Sequence, residues 1–148
     1  MATHVRLYRY AASFEPGDEG GIVVSFPDVP EAITQGVDEA DARDQAVEAL
    51  GLALLSYPLR GKPLPAATAS PDGSGAMISV GPEDAAKLAV LDAFRSAGIS
   101  KAELARRIGR DEKEVRRILD PLHPTKLPAL RKALSALGAQ LVVGIEAA

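Results

Sequence analysis

Apolar and polar positions alternate along the first part of the chain, and this period of two predicts β-strands. One alternating run covers residues 5–14, and a second covers residues 22–26 after the turn-rich sequence EPGDEGG. The two runs should pair as an antiparallel hairpin. A short third strand is expected around residues 32–34, and a fourth alternating run at residues 76–80 is placed to join the same sheet.

A long helix is predicted between the third and fourth strands, from Asp38 to about Tyr57. Its apolar stripe, which recurs every three or four residues and should cover the sheet, comprises Ala42, Ala46, Ala49, Leu50, Ala53 and Leu54. Its outer face is acidic, with Glu39, Asp41, Asp44 and Glu48. Residues 58–75 are rich in proline, glycine and small side chains, which predicts a loop or a semi-rigid connection.

Four further helices are predicted after the fourth strand. The first opens at Pro82, since proline is tolerated at the first helical position, and its inner side should comprise Ala85, Leu88, Leu91 and Phe94. The last closes at Gly138 and carries Leu127, Leu130, Leu134 and Leu137. The tail QLVVGIEAA is predicted to be a short strand whose open edge pairs with a second copy of the chain. We therefore expect a homodimer or a higher even-numbered homo-oligomer.

The two middle helices, within residues 98–119, carry their own start and stop signals. Ser100 should cap the first, with Glu103 three residues on, so that the serine oxygen and the glutamate satisfy free N–H groups reciprocally. Gly109 should end that helix at positive φ. Asp111 should cap the second helix, whose inward stripe is Val115, Ile118 and Leu119. Two helices joined by a short turn containing glycine form the helix-turn-helix pattern, whose second helix enters the DNA major groove.

Charge is divided unevenly along the chain. Residues 98–148 hold ten basic and six acidic side chains, a net charge of +4, whereas residues 1–97 hold seven and fourteen, a net charge of −7; together they give the −3 of the whole chain. A basic end on a mildly acidic chain points to contact with nucleic-acid phosphates at that end. The alternative is an ordinary helical hairpin whose arginines form a solvated face.

The predicted DNA contacts fall into two groups. On the outward face of the second middle helix, Lys113, Arg116 and Arg117 are predicted to contact the bases. Glu112 on the same helix is predicted to accept a hydrogen bond from cytosine. Lys101, at the start of the preceding helix, and Arg110, in the turn, are better placed for phosphates.

Composition excludes several other classes of protein. With 148 residues and 47 % apolar side chains, the chain is long enough for one ordinary domain or two small ones. It has no cysteine, so disulfides and thiolate zinc sites are excluded. The start MATHVRLYRY is unlike a signal peptide, and no apolar run approaches the roughly 18 residues of a membrane span, so we expect a soluble, cytoplasmic protein.

Catalytic chemistry is not indicated. Four acidic residues lie near a turn, a proline loop and a helix start, and show no convergent set for metal ions: Asp18, Asp28, Glu31 and Asp41. His4 and His123 lie far apart in sequence, and the GSG at residues 73–75 lacks the ending of a phosphate loop. We therefore expect a protein that is not an enzyme, with no catalytic residue, no metal and no cofactor.

Two stretches of the chain are recognisable together. The first is FEPGDEGGIVVSFPDVPEAITQG, with the pattern FPD-x-P at residues 26–30 and QG at Gln35 and Gly36, and the second is GISKAELARRIGRDEKEVRRILDPLHPTKLPALRKALSALG. Over nearly its whole length the chain resembles the HicB family of antitoxins. The resemblance implies a first domain with a partial, non-catalytic RNase H-like fold. It also implies two partners: operator DNA at the shared promoter, and a HicA-like toxin, a double-stranded-RNA-binding-like ribonuclease that cleaves mRNA and whose catalytic histidine the antitoxin covers.

The chain departs from the family pattern at two places. Glu31 stands where members often have glycine, and the long helix starts with VDEADA rather than with a pattern of the Thr-x-x-Glu-Ala type. Glu31 in place of glycine is expected to alter the loop and the contact with the partner. The start VDEADA still gives the long helix an acidic first turn.

Asp28 and Glu31, near the end of a predicted strand, are the acidic residues that we assign first to contact with the toxin. An acidic segment suits a basic, RNA-cleaving partner, because opposite charges give fast and salt-sensitive association. The alternative is that these carboxylates only keep the domain soluble.

The sequence thus predicts an α+β chain in two domains. Residues 1–80 form a small antiparallel sheet with a covering helix that binds and inhibits the toxin. Residues 81–148 form an all-α helix-turn-helix domain that dimerises, binds operator DNA and represses its own operon. Two other interpretations stay open: a stand-alone transcription regulator whose first domain binds a ligand or a protein, and a nuclease of RNA hybrids that depends on Asp28.

Overall fold

A computed structural model describes residues 4–147 of the chain and divides it into two compact units, which meet between Gly81 and Pro82. The first unit contains β1 (Arg9–Pro16), β2 (Ile22–Ser25), β3 (Ile33–Gly36), α1 (Glu39–Leu59) and β4 (Ala76–Ser79). The second unit contains α2 (Pro82–Ala97), α3 (Lys101–Ile108), α4 (Glu112–Ile118) and α5 (Leu127–Ala136). The predicted α+β class is confirmed.

The sheet is antiparallel and has the strand order β3-β2-β1-β4. The predicted hairpin between the first two strands is confirmed, and the fourth strand joins the same sheet. The two halves of β1 have different partners: Arg9 to Ala12 pair with β4, and Ser13 to Pro16 pair with β2. The central strand therefore links a local hairpin to a segment more than 60 residues further along the chain.

The predicted bounds of two strands were wrong. The first strand begins at Arg9 rather than at residue 5, and the preceding Val5 and Leu7 are exposed. A strand is defined by its partners, and β4 reaches only as far as Arg9. The third strand begins at Ile33, because the N–H of Ala32 donates to the carbonyl of Val29 (2.9 Å) in a turn.

Helix α1 covers the sheet as predicted, in contact with β2, β3 and β4. It begins where expected, since the Asp38 side chain accepts from the N–H of Asp41 (2.9 Å), and it runs two residues beyond the expected end, with Pro58 in its last turn. Its apolar stripe is buried except at Ala49, which is half-buried. The largest fully buried side chains of this unit are Phe26, Leu50, Leu54, Val24 and Val29.

The connection between α1 and β4 is fastened to the sheet unit. The Tyr10 hydroxyl donates to the carbonyl of Pro65 (2.6 Å), and the Ser74 hydroxyl donates to the carbonyl of Phe14 (2.6 Å). Between them, Asp28 accepts hydrogen bonds from residues 68 and 69. The long loop predicted from its proline and glycine content is therefore an ordered part of the unit.

The second unit is built around an apolar cluster contributed by all four of its helices. The predicted inner side of α2 is confirmed in part: Leu88 is buried and Phe94 packs against the cluster. Ala86 and Val90 are buried in the cluster, whereas the predicted Ala85 and Leu91 are half-buried. Helix α5 stops at Ala136, just before the predicted glycine. Within residues 4–147, no helix is both long and apolar enough to cross a membrane.

The strand predicted for the tail is not present: residues 139–147 form neither strand nor helix. A strand needs a second strand to receive its backbone hydrogen bonds, and among residues 4–147 no strand pairs with the tail. Leu141 packs against the helical cluster, but three later apolar side chains of the tail are exposed, Val142 at 66 %, Val143 at 68 % and Ile145 at 99 %.

Candidate nucleic-acid interface

Helix α3 begins and ends at the residues that the sequence predicts. The Ser100 hydroxyl accepts from the N–H of Glu103 (3.0 Å), and Gly109 leaves the helix at φ +67°. The N–H of Arg110 then donates to the carbonyl of Ala105 (3.0 Å), which satisfies one of the free carbonyls of the last turn. Leu104, Ala105 and Ile108 are buried.

The Glu103 carboxylate has a different role from the predicted one. It accepts from Arg106 Nε (2.8 Å) and from Arg107 Nε (3.0 Å), rather than closing a reciprocal cap with Ser100. Hydrogen bonds from Arg106 and then Arg107 lower the pKa of Glu103 to about 2. The spacing of three and four residues is the signal in the sequence that indicates these pairs.

Helix α4 presents a polar face to solvent. Asp111 caps it by accepting from the N–H of Glu114 (2.8 Å), and Val115 and Ile118 are buried against the cluster. The four residues assigned to base edges are exposed: Glu112, Lys113, Arg116 and Arg117. Lys113, Arg116 and Arg117 fall on the side of the helix opposite the buried pair, because successive residues are about 100° apart, whereas Glu112 lies at the edge of that side.

The two residues assigned to phosphates lie at the start of this helix pair and in the turn within it. Lys101 is the first residue of α3 and is exposed. Arg110 lies in the turn and forms an ion pair with Glu114 on α4 (Nε to Oε2, 3.7 Å), in which both side chains are half-exposed. Such an exposed pair is weak, so the guanidinium is still able to exchange this carboxylate for another anion.

A groove of about 1110 Å³ lies beside α4, between it, α5 and the first residues of the tail. Its lining holds five cationic side chains, Arg110, Arg117, Lys126, Arg131 and Lys132, and one carboxylate, Glu114. Lys126, Arg131 and Lys132 were not among the predicted contacts. Their charge is visible in the sequence, but only the packing of α5 brings them to the same surface as α4.

Lys87 on α2 is buried, with 3 % of its surface exposed, and was missed by the sequence reasoning. Its ammonium donates to the carbonyls of Ile118 (2.7 Å) and Arg117 (3.2 Å) and to the Thr125 hydroxyl (2.7 Å). Burial lowers the pKa of Lys87 to about 8, and the charge of Asp120 opposes that shift. The side chain therefore connects α2 to the end of α4.

The two residues assigned to toxin contact are engaged within the first unit. Asp28 accepts from the N–H groups of Thr68 and Ala69 (both 2.8 Å) and from the Thr68 hydroxyl (2.9 Å). The bond from Ala69, helped by Thr68 and opposed by burial, lowers the pKa of Asp28. Glu31 lies 3.5 Å from Arg60 (Oε2 to Nη2).

The residues considered for metal binding do not come together. In the part of the chain that the structure describes, no group of three or more His, Cys, Asp or Glu side chains is placed to hold an ion. His123 instead has its Nδ1 3.1 Å from the Thr125 hydroxyl. His4 is exposed in the first unit.

Fold and surface together define a class of protein: an α+β chain with a small sheet unit, followed by a helical unit that exposes cations on a capped pair of helices. The sequence pattern of the family described as HicB-like antitoxin of bacterial toxin-antitoxin system matches residues 9–88, which span the whole sheet and the start of α2.

Relatives match over most of the chain. Antitoxin HicB 1 of Photorhabdus laumondii is 38 % identical over 142 residues, which cover 96 % of this chain and 90 % of the relative. Antitoxin HicB of Escherichia coli is 40 % identical over 135 residues, covering 90 % and 96 %. Antitoxin HicB of Pseudomonas fluorescens is 31 % identical over 142 residues, covering 96 % and 97 %.

The chain therefore belongs to the HicB-like family of antitoxins. Its role is that of the antitoxin in a bacterial toxin-antitoxin pair, and a toxin is its partner.

Proposed function

We propose that this antitoxin inhibits a HicA-like, mRNA-cleaving ribonuclease through its sheet unit and represses its own operon through its helical unit. In this proposal the protein has no catalytic activity, works in the cytoplasm, and takes a partial RNase H-like fold in residues 1–80. The observation that carries the DNA half is the exposed cationic face of α4, held in a capped two-helix pair.

The DNA half treats α3 and α4 as a helix-turn-helix with α4 in the major groove. Its support is the turn of three residues between the helices, the burial of one side of α4 and the exposure of Lys113, Arg116 and Arg117 on the other. Side chains of this kind form bidentate hydrogen bonds with guanine. Lys101 and the basic groove beside α4 then supply contacts with phosphates.

The toxin half treats the sheet unit as the docking unit. Its support is the acidic surface of α1, where Glu39, Asp44 and Glu48 are exposed. An RNA-cleaving toxin needs a basic surface, and complementary charge accelerates association at low salt. Because Asp28 accepts three hydrogen bonds from residues 68 and 69, its part in the contact is to hold the connection between α1 and β4 in place, whereas Glu31 is exposed at the surface.

Native mass spectrometry tests the inhibitory half. The protein is purified after expression together with its flanking genomic segment, and we expect a stable complex with a small basic protein encoded there. Recovery of this chain alone, at controlled salt, would reject the toxin half and favour a stand-alone transcription regulator. Metal-dependent cleavage of an RNA–DNA hybrid by the purified protein, lost on Asp28→Asn, would instead favour the nuclease.

A further inference from the structure

Three hydrogen bonds from one buried ammonium hold the C-terminal end of α4. Lys87 Nζ donates to the carbonyls of Ile118 and Arg117 and to the Thr125 hydroxyl, at 2.7, 3.2 and 2.7 Å. The last carbonyls of any helix lack partners within the helix and carry its partial negative charge. An ammonium at this point donates to the unpartnered carbonyls and its positive charge offsets the partial negative charge of the helix end. Its three N–H donors match the three acceptors.

This arrangement has a cost that an apolar residue would avoid. Lys87 is 3 % exposed and lies on α2 between Ala86 and Leu88, which are both buried as well. Removing a charge from water is unfavourable, and replacing a buried charge by an apolar side chain is often neutral or stabilising. Packing alone therefore gives no reason for a lysine here, and the reason must lie in what the ammonium holds.

The ammonium holds the end of the helix proposed to read DNA. Arg116 and Arg117 are two of the last three residues of α4, and the carbonyl that Lys87 binds belongs to Arg117 itself. Thr125 lies in the connection to α5, so the same ammonium also ties that connection to the helix end. Contacts with base edges depend on sub-ångström placement of the side chains that make them.

We propose that Lys87 is a positioning residue for DNA recognition, which sets the place of α4 on α2 and so orients Arg116 and Arg117 toward the bases. The proposal rests on the DNA-binding role of α4 proposed above. Lys87 itself touches no DNA, so its effect is on discrimination between sequences rather than on the attraction of the protein for DNA in general.

The test compares two duplexes on the full-length protein: the region upstream of its own gene, and a scrambled duplex of equal length and composition. For Lys87→Met we expect roughly tenfold weaker binding to the upstream duplex, with binding to the scrambled duplex changed less than about threefold. Lys62→Met, which removes an exposed lysine of the first unit, is the control and should match the parent on both duplexes.

Thr125 supplies a second pair of variants in case Lys87→Met unfolds. Thr125→Val keeps the shape and removes the acceptor, so we expect a loss of discrimination in the same direction but smaller. Thr125→Ser keeps the hydroxyl and should have the parental ratio of affinities for the upstream and the scrambled duplex. If Lys87→Met is folded and keeps the parental ratio, or if both duplexes weaken equally, the positioning role is rejected.

Amide hydrogen exchange separates this proposal from the DNA-binding role on which it rests. In Lys87→Met the amides of Leu119 and Asp120, which close the end of α4 on Val115 and Arg117, should exchange faster. A parent that does not prefer the upstream duplex rejects the DNA-binding role. Unchanged exchange at Leu119 and Asp120 rejects the anchoring by Lys87, whatever the parent does with DNA.

Discussion

Gly36 shows how one missing side chain joins a strand to a helix. It is the last residue of β3, and a Cβ atom placed there would overlap the backbone of Asp41 and Ala42 in the first turn of α1. The glycine of the QG pattern is therefore required by the close approach of two backbones. The sequence predicts a strand before this point and a helix after it, but the contact that demands glycine is visible only in the structure.

Gly36→Ala should destabilise the sheet unit by about 1–3 kcal/mol, because α1 must move away from β3 to admit the methyl group. Urea unfolding followed by circular dichroism measures the change. Gly81→Ala is the matched control, since a Cβ there meets nothing within 4 Å, and its effect should stay within about 0.5 kcal/mol. Equal stability of the two variants would contradict the proposed overlap.

Glu103 makes the helical unit sensitive to acid. Its pKa is lowered from 4.5 to about 2 by hydrogen bonds from Arg106 and Arg107. A carboxyl whose pKa falls on folding stabilises the protein above the unfolded value and loses that contribution as the pH falls through the folded value. The contribution of Glu103 is therefore complete above about pH 4.5 and disappears toward pH 2.

Glu103→Gln should lower the free energy of unfolding at pH 7, and the gap to the parent should close between pH 4.5 and pH 2. Urea midpoints at several pH values give this gap. Glu112→Gln, which removes an exposed carboxylate from the first turn of α4, serves as the control and should show a smaller gap. A gap for Glu103→Gln that does not change with pH would rule out the ion pairs as its cause.

At the scale of elements, local signals were sufficient for most of the helices. The caps at Asp38, Ser100 and Asp111 involve residues three positions apart, so sequence alone locates them. The bounds of β1 and two of the four residues predicted for the inner side of α2 were misplaced, because both depend on partners distant in the chain. The contact of Lys87 with α4 has the same origin, since it spans about 30 residues.

Helix α4 carries the sharpest prediction about DNA. Arg116→Ala should weaken binding to the upstream duplex by about 1–3 kcal/mol and relax base preference, because a contact with a base edge is lost.

Lys101→Ala should weaken binding to all duplexes alike and reduce the salt slope by about 1, because one contact with a phosphate is lost. Titrations at several salt concentrations distinguish the two patterns, and an Arg116→Ala variant with parental affinity would reject its assignment.

At the scale of the whole molecule, the net negative charge lies in the first part of the chain and the net positive charge in the last part. The tail leaves apolar side chains exposed to water. Val142, Val143 and Ile145 are more exposed than most apolar side chains of their size. A tail strand that forms only on pairing with the same tail of a second copy is consistent with the absence of a strand in one copy. We propose that the homodimer predicted from the sequence forms through this tail.

Val143→Asp should therefore shift the protein from dimer to monomer, raising the dissociation constant by roughly tenfold or more, because burial of the valine is lost. Sedimentation velocity over a range of concentrations measures this shift. Ala147→Asp adds the same charge to the tail without removing a large apolar side chain and should leave the dimer intact. A Val143→Asp protein with the parental dissociation constant would place the dimer contact elsewhere.

The junction between the units consists of a single unconstrained residue. The N–H of Val80 donates to the carbonyl of Tyr8, and Pro82 begins α2 and has no N–H. Gly81 lies between them, and a Cβ placed there would meet nothing within 4 Å. A genetic crossover at this position would break no hydrogen-bonded element on either side. Under the function proposed above, the sheet unit is free to be inherited with a different helical unit, and the operator and the toxin of such a pair are able to evolve at separate rates.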